Sequence, residues 1–93
     1  MVSIDVIRTT PVADRIPTAI KYLSGPYGEQ LSPYGLAYYL KEMQVDMGDT
    51  PIARGLRRLQ ESVEMSGNDG DPITPYGVVL SLEDLRKRHP VIA

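Results

Sequence analysis

The chain has 93 residues, 42% hydrophobic and 24% charged, the balance of a small soluble domain with room for one modest core. It has no cysteine, which excludes a disulfide framework, a zinc-thiolate site and a cysteine nucleophile. Ten Lys and Arg against twelve Asp and Glu give a net charge of −2, so any nucleic-acid contact must come from a local basic face rather than from the total.

No apolar run approaches the roughly 20 residues of a membrane span. Residues 1–10 contain Asp5 and Arg8 and lack the apolar stretch of a signal peptide, so a cytoplasmic protein is expected. Ile4 and Val6 alternate with polar neighbours before Thr9-Thr10-Pro11, which predicts an extended N-terminal lead or arm over residues 1–10, ahead of one domain over 11–93. A first helix is expected within residues 12–24, where Ile16, Ala19, Ile20 and Leu23 form one apolar stripe. Pro17 must either sit in the first turn of that helix or kink a longer one. Gly25-Pro26 ends it, and residues 25–30 read as a loop.

The second helix, residues 32–43, begins with Ser32 as N-cap and Pro33 in the first helical position. Leu36, Leu40 and Met43 make its buried stripe, while Tyr34, Tyr38 and Lys41 point the other way. A turn follows at residues 44–48, with Gly48 as its permissive position. The third helix, residues 50–62, repeats the pattern, with Asp49 or Thr50 as cap and Pro51 as first residue. Ile52, Leu56, Leu59 and Val63 keep one face, and Thr50, Arg54, Arg57, Arg58 and Glu61 lie opposite. Residues 62–66 and 73–80 are expected to form a β-hairpin around the turn-rich Gly67-Asn68-Asp69-Gly70-Asp71-Pro72, with Pro75 confining the second strand to an edge. Ser81 then reads as the cap of a short helix, acidic in its first turn and basic at Arg86, Lys87 and Arg88 in its last, as the helix dipole favours. Pro90 stops it.

The stretch "SPYGLAYYLKEM…GDTPIARGLRRLQESVEM", followed by "SGNDGDP" and "ITPYGVVLSL", resembles the winged-helix family of DNA-binding proteins across about two thirds of the chain. The resemblance implies an α+β, mainly α fold, a winged helix-turn-helix with a small β-hairpin wing. It implies that the third helix enters the major groove of double-stranded DNA through Thr50, Ala53, Arg54, Arg57 and Arg58, with Tyr34 and Lys41 of the second helix bracing the backbone. A homodimeric transcriptional regulator or plasmid or phage control protein is the expected role. The alternative is a protein-protein interaction module on the same fold, such as a phage or plasmid protein binding a host protein. The wing departs from the family pattern, since Asp69 and Asp71 would be repelled by phosphate.

Enzymatic chemistry has no constellation here. His89 is the single histidine and stands beside Pro90, so neither a catalytic triad nor a metal or cofactor site is expected. The Asp69-Asp71 segment lacks the glutamate that completes a calcium loop. Pro-Tyr-Gly occurs at Pro26, Pro33 and Pro75 and reads as turn chemistry. The tyrosines fit two readings: Tyr22, Tyr38 and Tyr39 at the edges of the core, or Tyr34 and Tyr38 as part of an interface, where tyrosine is enriched.

Overall fold

Proline marks where four of the described helices begin. The computed structural model describes residues 6–66 and 73–89, in which the regular elements are α1 (Val6–Thr9), α2 (Val12–Ser24), α3 (Pro26–Glu29), α4 (Pro33–Met43), α5 (Pro51–Ser66) and α6 (Pro75–Arg88). α3, α4, α5 and α6 each open on a proline, whose fixed φ suits the first helical residue and whose missing N–H leaves nothing unpaired there. The residue before three of these prolines caps the helix with its hydroxyl. Ser32 accepts from the Gly35 N–H at 3.1 Å, Thr50 from the Ala53 N–H at 3.2 Å and Thr74 from the Gly77 N–H at 3.1 Å.

The winged-helix expectation is overturned, because no strand occurs among the described residues and both proposed hairpin strands are helical. The first, residues 62–66, is the last part of α5. Its Val63 continues the Ile52-Leu56-Leu59 stripe and is completely buried. The second coincides with the start of α6. There Pro75 is a first-turn residue after the Thr74 cap, and Val78, Val79 and Leu82 face the core at helical spacing. Their β-branched preference, a few tenths of a kcal/mol each, loses to burial of roughly 1.5–3 kcal/mol per large apolar side chain. Ser81 lies inside α6 and caps nothing. The turn at residues 67–72, including Asp69 and Asp71, lies outside the described residues.

Two smaller expectations also change, and a third, the place of Pro17, narrows to one of its two alternatives. The N-terminal lead contains the helical turn α1, with Ile7 buried, while residues 1–5 lie outside the described ones. Residues 25–30 hold the short helix α3. Pro17 lies inside α2, beyond its first turn. The first and second helices otherwise occupy the residues the caps and stripes indicate.

α4 packs on α5 and α2 on α6, with α1 against α4 and α3 folded back on α2. Ile16, Leu36, Leu40, Met43, Leu56, Val63, Val78 and Leu82 fill the shared core and are each at most 1% exposed. The Cα radius of gyration is 12.2 Å, close to the ~12 Å expected of a compact chain of this length. Arg15 of α2 is buried in this packing. Its Nε donates to Thr10 O at 2.8 Å and its Nη2 to Arg8 O at 2.9 Å, while Nη1 reaches Met43 O at 3.0 Å and also Val45 O. One guanidinium thus satisfies carbonyls at the C-terminal ends of both α1 and α4, where helices leave acceptors unpaired and favour a cation. Arg8 in turn pairs with Glu42 of α4.

Candidate functional site

α5 is held on two sides and open on the third. At about 100° per residue its buried stripe, Ile52, Leu56 and Val63, faces the core. Gln60 joins it to α4, accepting from Gln44 Nε2 at 2.8 Å and donating to Glu64 at 2.8 Å. On the other flank Gly55 admits α6. A Cβ at this position would stand 2.5 Å from Leu85 Cδ2, so a larger residue here would require the Leu85 side chain to shift. The arc left to solvent carries Arg54, Arg57, Arg58 and Glu61, all exposed.

The seven residues expected to contact DNA do not share one surface. Thr50, which caps α5, and Arg54, Arg57 and Arg58 along it are exposed. Ala53 is 2% exposed and belongs to the core, so it cannot reach a base edge. Tyr34 and Lys41 line a separate groove between α4 and α5, about 710 Å³ in volume, together with Tyr38, Gln60 and Glu64. The Thr50 hydroxyl oxygen accepts from the Ala53 N–H of the helix it caps.

Arg54 and Arg58 also face a groove of about 550 Å³ between α5 and α6, where Ser62, Ser81, Asp84, Arg88 and His89 join them. Arg54 Nε donates to Asp49 Oδ1 at 3.1 Å, and Arg88 reaches Asp84 Oδ2 at 2.9 Å. Both pairs are solvent-exposed and worth at most about 1 kcal/mol. Arg57 and Arg58 have no ion-pair partner among the described residues.

Charge is segregated along the chain. α5 and α6 carry six basic residues against four acidic ones, a net of +2. The remaining sequence carries four against eight, a net of −4. The total of −2 therefore conceals a positive edge, and the first half of α5 contains three arginines and no acid. Arg88 and His89 of this groove escaped the sequence reading, which assigned Arg86, Lys87 and Arg88 to the helix dipole. The basic run is visible in the sequence, but that Arg88 shares a groove with Arg54 and Arg58 depends on how α6 packs beside α5.

Among the described residues no cluster of His, Asp and Glu could hold a metal ion, and no helix is long and apolar enough to cross a membrane. No family model matches the chain, and neither a curated protein nor a solved structure matches it.

Proposed function

We propose that this protein binds double-stranded DNA through the exposed edge of α5, as a small cytoplasmic regulator of the DNA it contacts. The observation that carries the reading is the row Arg54, Arg57 and Arg58, exposed on one helix face with no acidic residue in the first half of that helix. Guanidinium forks pair with phosphate oxygens and with guanine edges, and a helix of this size fits the major groove. α5 has 16 residues, about 24 Å at ~1.5 Å per residue, enough to cross a groove about 12 Å wide. The reading includes a homodimer on a near-palindromic site, where two such helices would meet successive grooves.

Fluorescence anisotropy with a labelled duplex at low and moderate salt tests it. Binding should weaken steeply as salt rises, and R54A/R57A/R58A together should reduce affinity at least about tenfold with the fold unchanged. Salt-independent binding, or an unchanged titration with all three arginines removed, would defeat the assignment.

A second reading, a protein-interaction module, draws on the α4–α5 groove. Tyr34 there is 90% exposed, and tyrosine is enriched where proteins meet. A protein without duplex affinity at low salt whose partner binding is lost in Tyr34→Ala would support this reading over the first.

A further inference from the structure

We infer that Arg88, in the last turn of α6, clamps a DNA phosphate together with Arg58 across the α5–α6 groove, and that Asp84 competes with that phosphate for Arg88. The inference rests on the DNA-binding reading and names a second contact element for it, in place of a wing.

Three guanidinium groups from two helices, Arg54, Arg58 and Arg88, line one open groove in which Asp84 is the single carboxylate among the described residues. Asp49 draws Arg54 from outside that lining, and Arg58 has no acid partner among the described residues. The groove is therefore short of negative charge when empty. A phosphodiester supplies one charge and acceptor oxygens that match the guanidinium fork. Ser62 and Ser81 line the same groove and offer hydroxyl donors to the remaining oxygens. The Asp84–Arg88 pair is an exposed i,i+4 contact with both side chains more than half accessible, the weakest class of ion pair. A phosphate held by two arginines can displace it.

The neighbours of Arg88 provide the control. Lys87 has the same charge one residue away and does not line the groove, and Glu83 stands to Asp84 in the same relation. A diffuse field would weigh each pair equally, whereas a clamp would not.

The test is anisotropy titration of the full chain against one duplex across a salt series, with circular dichroism confirming that each variant is folded. Arg88→Gln should weaken binding roughly tenfold and lower the salt slope by about one, while Lys87→Gln should change affinity by less than about twofold. Asp84→Asn should tighten binding a few-fold where Glu83→Gln does not, and Arg58→Ala with Arg88→Gln should cost less than the two separate losses combined. Equal effects of Arg88→Gln and Lys87→Gln, in a protein whose binding still depends on Arg54 and Arg57, overturn the clamp alone. Absence of salt-dependent binding by the unaltered protein overturns both the clamp and the DNA-binding reading.

Discussion

A buried arginine without a carboxylate partner among the described residues is stable here because four backbone carbonyls take its place. Arg15 is 3% exposed, and its donors close the ends of α1 and α4. Arg15→Met would keep much of the volume but leave those carbonyls without their donor. We expect a loss of roughly 2–4 kcal/mol, seen as a melting temperature lower by on the order of 10 °C or more. A variant that melts with the unaltered protein would show that water or a neighbour replaces the guanidinium.

Tyr39 supplies the other residue-scale consequence. It stacks on Tyr22 with ring centroids 5.0 Å apart, and Tyr22 stacks in turn on Tyr27 at 6.2 Å. Burial first, and then the adjacent Tyr22, push the Tyr39 hydroxyl well above the ordinary value of 10.0. The folded chain thus keeps a proton that the unfolded chain releases. The stability involved is fully present below pH 10 and is lost as pH rises beyond it. Urea midpoints should fall above about pH 10, and tyrosinate absorbance should show one of the six tyrosines ionising only as the protein unfolds. Six tyrosines titrating together with a flat midpoint would contradict this.

At the scale of the element, the hydroxyl-Pro-Tyr-Gly sequence is a helix start. Ser32-Pro33-Tyr34-Gly35 and Thr74-Pro75-Tyr76-Gly77 make the same cap, with the hydroxyl bonded to the glycine N–H three residues on and the tyrosine left exposed. Pro26-Tyr27-Gly28 opens α3 without a side-chain cap. The second copy decides the character of the whole segment after it. Thr74→Ala should therefore destabilise the protein by about 1 kcal/mol, read from denaturant midpoints, and Thr74→Ser should restore most of the loss. If residues 74–80 behaved as an edge strand instead, neither substitution would distinguish the presence of the hydroxyl.

For the molecule as a whole, the arrangement of charge matters more than its sum. Pairing α4 with α5 and α2 with α6 buries the apolar stripes in one core and leaves the basic edge of α5 beside the basic end of α6. Asp14, Glu29 and Glu42 belong to the helices before that edge and Asp46 to the turn after α4. The salt titration follows from this segregation: a polyanion should meet the α5–α6 edge preferentially, and its affinity should fall with ionic strength although the protein is acidic overall.

Helix positions were largely legible because they depend on local chemistry. Ser32 before Pro33, Thr50 before Pro51 and the stripes Leu36-Leu40-Met43 and Ile52-Leu56-Val63 each act within a few residues. The arginine row of α5 was legible for the same reason, since three exposed positions on one helix face follow from spacing alone. The residues from Ile73 to Leu80 were misread because Val78-Val79-Leu80 has strand-like composition, and a run this short satisfies either period. Burial of Val78, Val79 and Leu82 against α2 resolved it as helix. Ala53 was misplaced among the contact residues because a small side chain at a stripe's margin can face either way. Sequence by itself thus determined where α2 and α4 lie, where α5 begins, and which face of α5 carries arginine. Tertiary structure alone decided that residues 62–66 and 75–80 are helical, that Tyr34 and Lys41 stand apart from the arginine row, and that Arg88 lines the same groove as Arg58. Those outcomes depend on contacts between residues distant in the chain, whose burial energy exceeds the local preferences that a sequence displays.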